Sequence, residues 1–278
     1  MLDPNHNLWL GLFLYFRSPM KTALNIAIVG TGNLAWHLAK AIDSSEHHLL
    51  QIMSRDQIRA KELAKEVSSK GISSIEYLDS RVEIVILALT DKALTGKYIA
   101  QFPKNIIICH TSGSISMRVL NSHKQHGIFY PLQTFSKQKE VDFSNIPICL
   151  EANNKQVFEK LYVLANSLSS RVYEINSKQR KALHIAAVFA CNFTNLMYQI
   201  SNDICTEAKV DFDILRPLIE ETAAKVQNHF PNDVQTGPAK RNDNRVIESH
   251  LKYLDNEPDY QEIYHMLTYE IKKNNEEL

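Results

Sequence analysis

The stretch "IAIVGTGNLA" (residues 26–35) decides how the rest of the chain is interpreted. Four apolar residues lead into Gly30, and Gly32 and Ala35 follow it with the spacing Gly-x-Gly-x-x-Ala. Where this pattern follows a strand and opens a helix, it is typical of a loop that holds the pyrophosphate of a dinucleotide. A tight strand-to-helix turn that binds no ligand has the same pattern. The residues around the loop therefore have to distinguish the two interpretations.

Apolar runs and helical patterns alternate from this loop onward. In "NLAWHLAKAI" (33–42) the apolar residues recur at helical spacing. By contrast, "EIVILAL" (83–89) is almost continuously apolar, as in a parallel strand that is buried on both faces. The alternation predicts the α/β class, with a Rossmann-type, doubly wound, mostly parallel sheet over residues 24–176. The predicted strands lie within residues 24–30, 49–56, 82–91, 105–114, 145–151 and 171–176.

The pattern changes after residue 176. Residues 178–208 contain neither glycine nor proline and predict one long helix. Two or more further helices follow, separated by Pro217, Pro231 and the sequence "TGP" at 236–238. We therefore predict an all-helical C-terminal domain over residues 177–278.

The first 23 residues are expected to form an N-terminal extension. The apolar run "LWLGLFLYF" (8–16) is much shorter than the roughly 18 to 20 residues that span a bilayer. It also lacks the basic start and the small-residue cleavage site of a signal peptide. Since chains of this architecture usually begin at the first strand, we expect residues 1–19 to lie upstream of the natural start at Met20.

The overall charge gives no reason to expect nucleic acid or membrane as a partner. Lys plus Arg and Asp plus Glu both number 31, so no net field attracts a polyanion. The four cysteines are far apart and form no Cys-x-x-Cys pair, which indicates neither a disulfide framework nor a metal site. We expect a cytoplasmic protein that acts on a small molecule.

The end of the second predicted strand discriminates between NAD and NADP. NAD sites place Asp or Glu about 20 residues after the glycine loop to bind the ribose 2′-hydroxyl, and NADP sites replace it with groups that accept a phosphate. Ser54 and Arg55 occupy this place, with Arg59 beyond them. A hydroxyl and a guanidinium suit a 2′-phosphate, so we favour NADP(H). In the alternative, Arg55 is a solvated surface residue and Asp56 binds the ribose.

The remaining cofactor contacts are expected at the carboxyl end of the strand within 82–91, where ligands of open α/β sheets bind. Thr90 should line the nicotinamide ribose, whereas Asp91 is more typical of a helix N-cap. The residues that we predict to bind the cofactor are Gly30, Thr31, Gly32, Asn33, Leu34, Ser54, Arg55, Leu89 and Thr90.

Hydride transfer to a C=O or C=N bond usually needs a proton donor for the heteroatom. His184 in the long helix is our candidate general acid, and the alternative is a structural, hydrogen-bonded histidine. At helical spacing it shares one stripe with Val188, Cys191 and Asn195. The predicted substrate-binding residues are Ser112, Gly113, Gln133, Asn192, Thr236 and Arg241.

Four of these substrate residues also have an ordinary structural interpretation. Ser112 can cap a following helix, and Gln133 can be an ordinary loop residue. Thr236 can cap a helix that begins at Pro238, while Arg241 can simply remain solvated. No metal ligand set is predicted.

Several stretches together resemble a bacterial family that joins a Rossmann-like domain to a domain of unassigned function, DUF2520. The resemblance covers nearly the whole chain after residue 24. One departure is Tyr130, where family members more often carry His. The matching stretches are "IAIVGTGNLAWHLA" (26–39), "CHTSGSISMRVL" (109–120), "YPLQTFS" (130–136), "LHIAAVFACNFTNLM" (183–197) and "TGPAKRND" (236–243).

The resemblance implies an NADP oxidoreductase, of a type also described as coenzyme F420-dependent NADP oxidoreductase-like. A more distant similarity to pyrroline-5-carboxylate reductase and to 6-phosphogluconate dehydrogenase-like proteins implies a homodimer formed by the helical domain, which closes the active site over the nicotinamide. Reduction of an imine or keto acid and reduction of NADP by a deazaflavin stay open as alternatives.

The sequence therefore predicts an NADP-dependent oxidoreductase that transfers a hydride between NADP(H) and a small, anionic molecule at the cleft between the domains. The alternative is a non-catalytic NADP-binding sensor or scaffold, because the sequence offers a cofactor loop but no secure proton donor.

Overall fold

The computed structural model describes residues 23–276, so the predicted N-terminal extension lies, apart from Ala23, outside the described residues. The described residues up to Val188 form one compact unit, and those from Phe189 onward form a second. Within this part of the chain, no helix combines the length and the apolar character that crossing a bilayer requires. The domain boundary that the sequence places at residues 176 and 177 stays a prediction.

The first unit is built on one eight-stranded sheet with the order β3-β2-β1-β4-β5-β6-β7-β8. Strands β1 to β6 run parallel, β7 is antiparallel to β6, and β8 is parallel to β7. This arrangement confirms the Rossmann-type, mostly parallel sheet. The strands are β1 (Asn25–Val29), β2 (His48–Met53), β3 (Lys70–Ile72), β4 (Ile84–Leu87), β5 (Ile107–His110), β6 (His126–Pro131), β7 (Ile148–Ala152) and β8 (Val172–Glu174).

Helices cover both faces of this sheet. Ile26 and Ile28 belong to a core that includes α1 and α4 side chains, while Ala27 and Val29 of the same strand belong to a second core on the opposite face. This division follows from the alternation of side chains along a strand. The helices of the first unit are α1 (Asn33–Asp43), α2 (Gln57–Lys65), α3 (Gly96–Ile99), α4 (Lys155–Leu168) and α5 (Ser177–Ala187).

Strands β3 and β6 were not predicted from the sequence. The β6 sequence "HGIFYP" contains glycine and ends in proline, a composition that is typical of loops. The structure explains the glycine, since a Cβ on Gly127 would lie 2.5 Å from the carbonyl oxygen of Glu151 on β7. The close approach of β6 and β7 therefore selects a residue that sequence patterns associate with turns.

Helix α5 is held against the sheet by a buried ion pair. The Arg180 side chain is only 1% exposed and pairs with Glu151 on β7, which is 16% exposed. Arg180 also donates to the carbonyl oxygen of Ile115 at 2.8 Å, and the Ser177 hydroxyl donates to the Glu151 carboxylate at the same distance. These contacts fix the first turn of α5, and His184 lies one turn further along the same face.

The second unit is helical, as predicted. A π-helical segment (Val188–Phe193) follows α5, and its longer turn means that the 3.6-residue stripe predicted from His184 to Asn195 does not hold through it. The helix expected at Pro238 begins instead at Asn244, where Asp243 rather than Thr236 supplies the N-cap. The helices are α6 (Thr194–Glu207), α7 (Arg216–Asn228), α8 (Asn244–Tyr253) and α9 (Pro258–Glu276).

Replacing Arg180 tests how strongly the buried pair holds α5. We expect Arg180→Met to lower the free energy of unfolding by about 3 kcal/mol, because it leaves the Glu151 carboxylate largely buried without its cation. The measurement is urea denaturation followed by circular dichroism. The matched control is Arg216→Met, which removes an exposed pair with Asp213 and should change stability little. Equal effects of the two variants would contradict the assigned role.

Candidate functional site

A groove of about 650 Å³ lies at the carboxyl ends of β1 and β4. The two strands are neighbours, and the chain leaves β1 toward β2 on one side and returns to β4 on the other. Ligands of open α/β sheets bind where the strand order reverses in this way. Seven of the predicted cofactor residues line the groove: Gly30, Thr31, Gly32, Ser54, Arg55, Leu89 and Thr90.

The two glycines of the loop have different physical requirements. Gly30 has a φ of 125°, and a Cβ there would lie 2.1 Å from the carbonyl oxygen of Ala88, so no other residue fits. At Gly32 a Cβ would meet no atom within 4 Å, because this position faces the open groove. Gly32 is also the N-cap of α1 and supplies no side-chain acceptor. The first N–H groups of α1 therefore remain able to bind an anion.

The groove is lined by basic side chains. Arg55, Arg59 and Lys92 line it, and no carboxylate does so among the residues that the structure describes. Asp56 is used elsewhere, since it accepts from Ile58 N at 3.1 Å and Arg59 N at 3.2 Å as the N-cap of α2. Its other carboxylate oxygen lies 3.3 Å from Arg59 Nε. The alternative in which Asp56 binds a ribose therefore loses support.

Four polar or charged residues of the groove were not among the predicted cofactor contacts. Arg59 could have been predicted, because it lies one helical turn beyond Arg55 in the sequence. The other three follow β4 in a short helical turn and in α3, where no periodic pattern marks them. These residues are Lys92, Thr95 and Tyr98.

Two predicted cofactor residues direct their side chains away from the groove. Asn33 donates its side-chain amide to the carbonyl oxygen of Phe135 at 2.9 Å, and Leu34 packs against the core of the sheet. Asn33 thereby attaches the start of α1 to the loop after β6. In that loop the exposed Gln133 accepts a hydrogen bond from Thr134 N at 2.8 Å.

A second cluster forms around His184 at the carboxyl ends of β5 and β6. The Tyr130 hydroxyl lies 3.1 Å from His184 Nδ1, and the two rings meet edge to face. A Cβ on Gly113 would lie 2.6 Å from the same Nδ1 and 2.9 Å from the Tyr130 ring. The structure thus brings together the predicted residues His184 and Gly113, and it adds Tyr130.

The helical turn after β5 is capped by Ser116, so the expected helix cap at Ser112 is not present. Ser112 lies in the turn before it. Its hydroxyl accepts from Ser114 N at 3.2 Å and from Ile115 N at 3.0 Å, which closes the turn after β5. The Ser114 hydroxyl donates to Asp91 at 2.6 Å. Asp91 therefore does not cap the following helical turn, whose N-cap is Thr90. It connects the loop after β4 to the loop after β5.

The three remaining predicted substrate residues belong to the second unit. Asn192 lies in the π-helical segment, and Thr236 and Arg241 flank the turn before α8. All three are exposed. Their role in substrate binding stays a prediction.

Two family descriptions match the chain. Residues 17–134 match a Rossmann-like domain, and residues 146–271 match a domain of unknown function, DUF2520. No functionally curated protein matches the sequence.

Solved structures resemble the chain over nearly its whole length. The "putative NADP oxidoreductase BF3122 from Bacteroides fragilis" shares 39% identity and a TM-score of 0.83, over 90% of this chain and 98% of its own. Protein TM1727 from Thermotoga maritima shares 22% identity and a TM-score of 0.68, over 91% and 98%. A 1-pyrroline-5-carboxylate reductase from Streptococcus pyogenes shares 15% identity with a TM-score of 0.62, over 90% of this chain and 99% of its own. The last two similarities show the fold alone.

His110 makes the stability of this region depend on pH. Burial, with a smaller contribution from Arg180, lowers the pKa of His110 from 6.5 to about 4. As pH falls below 6.5, the unfolded chain binds a proton at His110 that the folded chain does not bind. The free energy of unfolding is therefore at its full value above pH 6.5, and this group lowers it as pH falls toward 4. From this group alone we expect a loss of about 2 kcal/mol between pH 7 and pH 5.

The measurement is urea denaturation of the wild type and of His110→Gln at both pH values. Gln stays neutral, so the variant should lose about 2 kcal/mol less than the wild type over this interval. Burial also lowers the pKa of His47 and His123, but both are present in the two proteins and cancel in the comparison. Parallel losses in the two proteins would contradict the assignment.

Proposed function

This chain belongs to the family in which a Rossmann-like domain is followed by a DUF2520 domain, and we propose that it is an NADP(H)-dependent oxidoreductase acting on a small molecule. The observation that carries the proposal is the groove where the strand order reverses, with an open position at Gly32 and basic side chains that include Arg55.

The residues present fit NADP(H). The open space beside Gly32 and the uncapped N-terminus of α1 suit the pyrophosphate. Ser54, Arg55 and Arg59 suit a 2′-phosphate, because they combine a hydroxyl with two guanidinium groups. Thr90 would then lie at the nicotinamide ribose.

When bound, the nicotinamide would supply or accept the hydride. His184 would face the heteroatom of the substrate and supply the proton that reduction requires. Gly113 supports this arrangement because the absence of its side chain leaves room for the His184 ring. Ser112, Gln133, Asn192, Thr236 and Arg241 remain proposed substrate contacts, and Arg241 would favour an anionic substrate.

We also propose a homodimer formed by the second unit. Of the described residues from Phe189 onward, only three are buried, namely Ala239, Ile247 and Leu254. Large apolar side chains such as Phe189 and Leu218 are more than 60% exposed. A helical unit with so little buried apolar surface is expected to use a partner to cover it, and a second copy is the partner we propose.

Sedimentation velocity tests the dimer. We expect the wild type to sediment with the mass of two chains and Phe189→Glu to shift toward one, because the new charge disfavours burial of the apolar surface. The control is Ile58→Glu in the first unit, since Ile58 is 70% exposed and Phe189 is 64% exposed. A wild-type protein with the mass of one chain would contradict the proposal.

Titration with NADPH and NADH tests the cofactor site. We expect Arg55→Asp to weaken NADPH binding at least about tenfold, through loss of a charge-assisted hydrogen bond to the 2′-phosphate, and to leave NADH binding nearly unchanged. Arg171→Asp, at an exposed position beside β8, makes the same charge change away from the groove and should bind as the wild type does. Failure of the wild type to bind either nucleotide would refute the proposed function. Tight NADPH binding without oxidation by any carbonyl or imine would favour a non-catalytic sensor.

A further inference from the structure

The His184 ring is enclosed by two residues that fix its position. Gly113 approaches so closely that an added Cβ would lie 2.6 Å from Nδ1 and 2.7 Å from Cγ. Tyr130 contacts the same nitrogen through its hydroxyl at 3.1 Å. By contrast, Nε2 of the half-buried ring has no hydrogen-bond partner among residues 23–276. The ring therefore has one nitrogen engaged by the protein and one that is left for a ligand.

The hydrogen bond between Tyr130 and His184 has a preferred direction. Within the described part of the chain, Nδ1 is the only partner of the Tyr130 hydroxyl, and the Tyr130 side chain is 8% exposed. Burial raises the pKa of Tyr130, so the phenol keeps its proton. If Nδ1 also carried a proton, the buried phenol would have no protein acceptor, which is unfavourable. The favoured arrangement has the phenol donating to Nδ1.

The position of the cluster relates it to the cofactor groove. Gly113 follows β5, which is the neighbour of β4, and the end of β4 forms one wall of the groove. The hydrogen bond from Ser114 to Asp91 joins the two loops directly. His184 therefore contacts the loop after β5, and that loop is hydrogen-bonded to the loop after β4 that borders the groove.

We propose that Tyr130 is a positioning residue that holds the neutral His184 ring with its proton on Nε2. The active site then presents an N–H donor at Nε2. When the reduced heteroatom takes that proton, Nδ1 would take the proton of the Tyr130 hydroxyl, so the ring stays neutral and the phenolate is reprotonated from water. The site therefore selects substrates whose reacting heteroatom is an acceptor. A carbonyl oxygen meets this requirement, whereas the N–H of an iminium ion would face another donor. The choice of a carbonyl substrate rests on the proposed function, but the position of the proton does not.

The ring proton can be located without any substrate. In the full-length protein labelled with ¹⁵N-histidine, the His184 resonances are assigned by their loss in His184→Asn. At pH 8 we expect an unprotonated Nδ1 and a protonated Nε2 in the wild type. In Tyr130→Phe, which keeps the ring and removes only the hydroxyl, the proton should be shared between the two nitrogens. A wild-type ring with its proton on Nδ1 would overturn the proposal.

Steady-state kinetics with NADPH and a panel of aldehydes, ketones and cyclic imines tests the proposed preference for carbonyl substrates. We expect carbonyl compounds to be reduced in preference to iminium-forming ones, with kcat about tenfold lower in Tyr130→Phe and KM for NADPH unchanged. Gly113→Ala should also lower kcat because it displaces the ring. The matched control is Gly96→Ala, where the added Cβ would meet only an ordinary contact at 3.8 Å. Preference for iminium substrates would overturn the assigned substrate class, and nucleotide binding without any turnover would count against the proposed function alone.

Discussion

The close approach of the first glycine of the loop to strand β4 is the constraint on which this architecture depends. Because a Cβ at Gly30 would lie 2.1 Å from the carbonyl oxygen of Ala88, the chain can turn out of β1 there only without a side chain. That turn sets where α1 begins and brings its N-terminus to the edge of the groove. Chain geometry, more than any individual polar contact, therefore creates the space in which the proposed cofactor would bind.

A second constraint acts further along the sheet, at β7. Burying Arg180 is costly unless its charge is paired, and Glu151 with the Ile115 carbonyl supplies the partners. Because these partners come from β7 and from the loop after β5, the ion pair orients α5 relative to both. As a result, the His184 ring lies against Gly113 and is hydrogen-bonded to the Tyr130 hydroxyl. An energetically demanding interaction thus determines the position of a side chain that carries no charge partner of its own.

Much of the fold followed from the sequence because apolar periodicity reports burial directly. The parallel strands, the glycine loop and the helical second half were all predicted in this way. Strand β6 was not, since Gly127 is required by packing against β7 and resembles a turn residue. The π-helical segment after Ala187 was also missed, because its sequence fits an α-helix equally well. In the site, the position of Ser54 and Arg55 after β2 was enough to predict that they line the groove. The contact between Tyr130 and His184 could not be predicted, because it joins residues 54 positions apart and no local sequence pattern marks it.

The sparse interior of the second unit has a consequence for the whole molecule. Where most of a unit's apolar surface is covered by another copy, its folded state is governed by mass action, and its apparent stability rises with protein concentration. Dilution would then act on this unit as a denaturant does, while the first unit, with apolar cores on both faces of its sheet, would be insensitive to it. The stability of the first unit would in that case depend only on contacts within one chain, whereas the stability of the second would depend on association with another copy and so on protein concentration.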